Sequence, residues 1–235
     1  MTVVEHLTEL RRRLVISVLA FFAASIVAYI FYESILHVLT LPLDKSGNIS
    51  GIHVNLSVSG VTTAFLVKVK VSIFAGFMFA LPVILYQVWR FITPGLEKKE
   101  KRYAIPFVLG SVGLFAVGAM VAYLVLPSAI GFLLGFTKGF HAILFINEYV
   151  GFVAFMVLAF GITFELPMIL IFLAMVGVVS SAWMKKYRRH AIVVCFIIGA
   201  VATPSQDPYT NTLMAVPLYL LYEASYLIVR FGLRK

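Results

Sequence analysis

Three carboxylates in this chain stand where an acid is either costly or crowded by cations: Glu165, Glu9 and Glu100. Glu165 is the lone charge between Tyr149 and Met184, within Phe160-Gly161-Ile162-Thr163-Phe164-Glu165-Leu166-Pro167. That run is long enough to cross a bilayer. An acid inserted into the hydrocarbon costs roughly 2.5 to 3.5 kcal/mol, so Glu165 must face protein, water or a partner rather than lipid. Two roles are open to it: a functional intramembrane group, or a packing contact with a hydroxyl or lysine of a neighbouring helix.

Glu9 lies in His6-Leu7-Thr8-Glu9-Leu10-Arg11-Arg12-Arg13-Leu14, where Leu7, Leu10 and Leu14 share one helical stripe and Glu9 faces elsewhere. The segment is expected to run along the membrane interface before turning in. Arg13 at i+4 offers Glu9 an ordinary surface ion pair. Glu100 belongs to Thr93-Pro94-Gly95-Leu96-Glu97-Lys98-Lys99-Glu100-Lys101-Arg102. Glu97 has Lys101 at i+4, but the helical neighbours of Glu100 are Leu96, Glu97, Tyr103 and Ala104. A carboxylate among cations without a helical partner is available to an external ligand. A guanidinium fits best, because its planar fork engages both carboxylate oxygens.

The elements that must position these acids are transmembrane helices. With 62% hydrophobic and 12% charged residues, the 235-residue chain has more apolar surface than a soluble core could bury. It reads as an all-α integral membrane protein forming one polytopic domain over residues 1–235. Six apolar spans are expected, at Leu14–Tyr32, Phe65–Trp89, Ile105–Leu126, Val150–Val176, Ala191–Thr203 and Leu213–Val229. The last two are short: 13 residues make only about 20 Å of helix, against a hydrocarbon core of about 30 Å. Loops from Glu33 to Ala64, including Pro42, and from Pro127 to Tyr149 read as external caps with short helices. Lys68 and Lys70 enter the second span near this outer end. They are expected to reach toward headgroups, with Lys70 alternatively approaching an intramembrane acid. Gly76 to Leu85 echoes Gly161 to Leu170, so Pro82 and Pro167 should kink their helices at matching depths, with Ala80 where the other has Glu165.

Charge placement sets the orientation. Fifteen of the 19 Lys and Arg residues fall before the first span, between the second and third, between the fourth and fifth, or after the sixth. All those segments, and both termini, are therefore expected to be cytoplasmic. The same pattern explains the net charge of +9 without nucleic acid. Cys195 is the single cysteine and has no base beside it in sequence, which argues against disulfide or thiol chemistry. The five histidines fall at or outside span ends, and no His-Glu-x-x-His, serine elbow or Gly-rich phosphate loop occurs. No enzymatic centre, cofactor or metal is expected. The first apolar run is too long for a cleavable leader.

The segments His6-Leu7-x-Glu9-Leu10-Arg11-x-Arg13-Leu14, Leu81-Pro82-Val83-Ile84-Leu85-Tyr86-Gln87-Val88-Trp89-x-Phe91-Ile92-x-Pro94 and Phe160-Gly161-x-x-Phe164-Glu165-x-Pro167 resemble the TatC family, the receptor subunit of the twin-arginine protein translocase. The resemblance continues through Ala202-Thr203-Pro204-x-x-Asp207 and Leu221-Tyr222-Glu223. It implies a cupped six-helix bundle in the plasma membrane that binds the twin-arginine signal peptides of folded precursors. It also implies assembly with single-span TatA and TatB-type subunits, self-association in the complex, and transport driven by the proton motive force. Carried over by residue, Glu9 and Glu100 form the acidic site for the two signal-peptide arginines, shaped by Arg11, Leu14, Phe91 and Pro94. Glu165 and Gln87 become intramembrane polar contacts for a partner. Pro42, Pro82, Pro167, Asp207 and Glu223 carry over as structural or loop positions, with Asp207 offset by the local spacing.

A small-molecule secondary transporter is the alternative, since it too needs an intramembrane acid, but only the proline echo hints at paired broken helices. The charge pattern makes a topological prediction. In a Cys195→Ala background, single cysteines near Lys45, Lys138 or Gln206 should react with an impermeant thiol reagent from outside, and those near Lys99, Lys186 or Arg234 from inside alone. Labelling of all six from one side would sink the six-span arrangement.

Overall fold

The computed structural model of the protein describes residues 3–50, 55–92, 104–137, 143–203 and 207–232. Its helices are α1 (Val3–Ile30), α2 (Tyr32–Ser50), α3 (Thr63–Ile92), α4 (Ala104–Gly135), α5 (Ile146–Thr163), α6 (Leu166–Met175), α7 (Ser181–Lys186), α8 (Arg188–Ala202) and α9 (Pro208–Leu227), which ends in a π-helical turn, Ile228–Gly232. The strands β1 (Leu56–Ser57) and β2 (Leu144–Phe145) have two residues each.

Five stretches are long and apolar enough to cross a membrane: Val4–Ile30, Thr63–Ile92, Ile105–Gly135, Ile146–Met175 and Pro208–Gly232. The all-α membrane class expected from composition is what the chain adopts. The expected span 191–203 is α8, whose 15 residues reach about 22 Å and fall short of the hydrocarbon thickness. The expected span 213–229 is the interior of a longer element. Asp207 caps α9 through a 2.7 Å hydrogen bond from the Thr210 N–H to its Oδ1, and Pro208 opens the first turn, where its missing N–H is no loss. Pro208 therefore starts this helix.

Other expectations are corrected. The N-terminal segment does not turn before entering the first span: α1 is one helix of 28 residues, and the sequence from Val3 to Ile30 holds no glycine or proline to break it. The loop from Glu33 to Ala64 is mostly the 19-residue α2, with Pro42 buried inside it. The loop from Pro127 shrinks because α4 runs through Pro127 to Gly135. The paired prolines behave differently. Pro82 lies within an unbroken α3, whereas the chain breaks between α5 and α6 just before Pro167. Met78 and Ala80 are strong helix formers at the positions that Thr163 and Glu165 occupy in the echo. The Thr163 hydroxyl moreover bonds the Ala159 carbonyl at 2.6 Å, a back-bond that bends helices.

Residue contacts group the chain into two compact units, and the division cuts through α2, α4 and α5. The first comprises residues 1–40, 56–112 and 145–151. Its framework is the α1–α3 pair. Val67 and Val71 are fully buried, and Trp89 donates to the Ser111 hydroxyl at 2.8 Å. Gly76 lets the helices touch, since a Cβ there would sit 2.5 Å from the Cα of Ser25. The second unit comprises residues 41–55, 113–144 and 152–235, with α9 packed on α8 and α6. Its core joins Ala174, Val179, Met184, Tyr222, Tyr226 and Val229.

The Gly76 contact is with backbone, which cannot swing aside. Gly76→Val should destabilise the detergent-solubilised protein by about 1–3 kcal/mol in thermal unfolding. Gly113→Ala, at a position where a Cβ meets open space, should be neutral or mildly stabilising in the same assay.

Candidate functional site

The α1–α3 pair is antiparallel, as its contacts show in sequence. Lys68 stands 4.3 Å over the Tyr29 ring, Gly76 meets Ser25, Arg13 reaches Gln87, and His6 stacks on Phe91 at 4.4 Å. The end of the pair that holds the α1 N-terminus thus gathers polar residues from both helices.

There Glu9 and Arg13, one helical turn apart, form an ion pair in which the guanidinium grips one carboxylate oxygen, Oε1, through both Nε and Nη2. Arg13 Nη1 also donates to Gln87 Oε1 at 3.3 Å. Gln87 is buried, and the Arg13 side chain is only 12% exposed. Glu9 Oε2 is buried and has no hydrogen-bond partner among the described residues. Glu9, Arg12, Arg13, Ile16, Gln87 and Arg90 line a cleft of about 210 Å³. Val4, Glu5 and Thr8 extend it, with Glu9 and Arg12, into a more open groove of about 410 Å³. Arg90 is steadied by the hydroxyl of Tyr86 at 3.1 Å. The cleft therefore holds three guanidinium groups and one carboxylate that is half engaged.

Of the residues expected to shape the acidic site, Phe91 is present through its stack on His6. Arg11 is exposed and Leu14 is 61% exposed, and neither lines the cleft. Pro94 and Glu100 lie outside the described residues. Gln87, grouped with Glu165 by the sequence reading, sits instead in the Glu9 cleft. Arg12 was expected as one of the cations crowding the acidic site, but Arg90 and Ile16 were not foreseen; their signal was present only as the i+7 position from Glu9 and the i+3 position from Gln87. Lys70 does not reach an acid, for its ammonium donates to Asn147 Oδ1 at 2.6 Å and to its carbonyl at 3.0 Å.

In the second unit Glu165 stands, half-buried, at the α5–α6 joint. Its N–H donates to the Ile162 carbonyl and its own carbonyl accepts from Ile169, so the backbone is spoken for on both sides of the break. Its side chain does not bond the first turn of α6. Glu223 is no loop residue: it lies on α9, where it accepts from Arg188 at 2.5 Å and from the Tyr219 hydroxyl at 2.8 Å. Arg188 also stands 4.6 Å over the Tyr226 ring. Among the described residues no group of three or more His, Cys, Asp and Glu is placed to hold a metal.

Fold and cleft define a polytopic α-helical membrane protein with a charged recess on its first helix pair. The sequence profile of the Sec-independent protein translocase protein (TatC) family matches residues 5–217. The chain belongs to that family. It is 42% identical to the TatC protein of Aquifex aeolicus, across 100% of this chain and 97% of that one. It is 41% identical to the TatC protein of Frankia casuarinae, where 97% of this chain spans 65% of the relative. A crystal structure described as the twin-arginine translocase receptor TatC superposes with a TM-score of 0.82 at 42% identity, covering 97% of this chain and 100% of that one.

The α5–α6 joint generates a prediction. Giving it the α3 residues, Thr163→Met with Glu165→Ala, should close the break and raise thermal stability in detergent by about 1 kcal/mol. If stability falls instead, Glu165 is a packing residue and not a group held at some cost for another purpose.

Proposed function

We propose that this chain is the signal-peptide receptor and core component of a twin-arginine translocase. It would sit in the cytoplasmic membrane with both termini inside, and export folded proteins on the proton motive force. The observation that carries the reading is the second oxygen of Glu9: buried, at the wall of a cleft, and without a hydrogen-bond partner among the described residues. The guanidinium groups of Arg12, Arg13 and Arg90 repel stray cations, so the free carboxylate oxygen between them accepts only a donor that arrives aligned. An arginine of a twin-arginine motif is such a donor. Glu100 serves the other arginine in this proposal, with Pro94 and Phe91 shaping the approach and Arg11 and Leu14 contacting the peptide at the rim. Gln87 holds Arg13, and through it Glu9, in place.

Six crossings belong to the same proposal. Basic segments at both ends of the chain call for an even count, so α8 crosses although it is short, in a bilayer thinned around it. Glu165, at a helix break in an otherwise apolar span, meets a polar group of a TatA or TatB-type helix or of the inserted peptide. Family membership leaves the small-molecule transporter reading without support.

Binding of a twin-arginine peptide to the purified protein at moderate salt tests the site. Glu100→Ala should weaken it about ten- to hundredfold, the scale of one charge-assisted pair, and Glu9→Ala less, because Arg13 already holds one of its oxygens. The double substitution should abolish binding in a protein that still folds. A twin-lysine peptide should bind the wild type more weakly. Wild-type affinity in the double variant would place the site elsewhere.

A further inference from the structure

The second unit holds a feature that the signal-peptide reading does not use. A slot of about 230 Å³ lies among α6, α7, α8 and α9. Its wall is Leu166, Leu170, Ala191, Val194 and Cys195, and its mouth carries Trp183, Tyr187 and His190. The three mouth rings touch in series: Trp183 tilted against Tyr187 at 4.8 Å, and Tyr187 edge-on to His190 at 5.4 Å. Next to them in sequence are Lys185, Lys186 and Arg189, all exposed and without an ion pair among the described residues. The Lys186 ammonium lies 5.6 Å over the Tyr187 ring. The nearby acid, Glu223, is already engaged by Arg188 and Tyr219, so it does not neutralise this rim.

We infer that the slot is a binding site for an anionic phospholipid, with one acyl chain between α6 and α8 and the phosphate at Lys186 and Arg189. Three observations favour this occupant. The wall is apolar, which suits a hydrocarbon chain. The slot is too small for a helix, whose own diameter is about 10–12 Å. The rim is an aromatic belt with unpaired cations beyond it, the arrangement in which amphipathic rings sit at headgroup level and Lys and Arg meet lipid phosphate. Arg188 is already paired with Glu223, whereas Lys186, over the Tyr187 ring, is left for a phosphate.

The test is thermal unfolding of the full chain in one detergent with added phosphatidylglycerol or phosphatidylcholine, together with native mass spectrometry of lipid retention. Wild type should retain and be stabilised by phosphatidylglycerol in preference to phosphatidylcholine. Lys186→Gln with Arg189→Gln, at exposed positions that leave folding intact, should reduce that preference about fivefold per cation removed. Val194→Trp, which fills the slot, should abolish retention of both lipids. Should that variant misfold, Ala191→Leu serves in its place and should likewise reduce retention of both lipids. Equal retention of the two lipids by wild type, or an undiminished preference in the rim variant, overturns the inference. So does displacement of the lipid by an apolar helical peptide at stoichiometric concentration, which would make the slot a peptide site.

Discussion

One oxygen of Glu9 is held by Arg13 and the other meets no hydrogen-bonding group among the described residues, and the close pairing of α1 with α3 keeps it so. Gly76 brings the helices into backbone contact. That contact fixes the register in which Arg13 reaches Gln87, five residues before the end of α3. In this arrangement Arg13, shared between a carboxylate and an amide, covers only one of the two carboxylate oxygens. The site is therefore kept half-satisfied by its scaffold, a condition that costs stability and is retained where a ligand supplies the missing donor.

The second unit follows a related constraint. Polar groups in apolar spans are tolerated where other protein groups meet them. Arg188 and Glu223 do this for each other, aided by Tyr219 and Tyr226. Glu165 sits where the helix is interrupted, at a point whose α3 counterpart, with Ala80 and Met78, runs straight through its proline. The same proline signal thus gives two outcomes, decided by the residues two and four positions before it.

Much of this was legible in the sequence. Apolar run length located the long helices, i+4 spacing gave the Glu9–Arg13 pair, and an Asp-Pro step marks the α9 start by ordinary capping rules. What sequence patterns did not carry was tertiary. The neighbour of Gln87 is 74 positions away, and Lys70 found Asn147 at a distance of 77 positions, where no local periodicity operates. The caps were read as loops with short helices because Pro42 and Pro127 look like breakers, and the longer helices that run through both were missed, although helices in membrane proteins accommodate prolines when neighbouring groups satisfy the freed carbonyl. The cleft arginine Arg90 looked like a topological charge alone, since the sequence does not reveal which members of a basic cluster face inward.

The central claim is that Glu9 Oε2 is reserved for one arginine of a signal peptide. A double-mutant cycle measures it directly: Glu9→Gln in the protein against replacement of each peptide arginine by citrulline, its uncharged isostere, with affinities determined by calorimetry. The account predicts that one of the two arginines couples to Glu9 by about tenfold or more, beyond the product of the single effects, and that the other does not. Additive effects for both arginines would contradict it, and the half-satisfied carboxylate would then have to be explained by the packing of α1 on α3 alone.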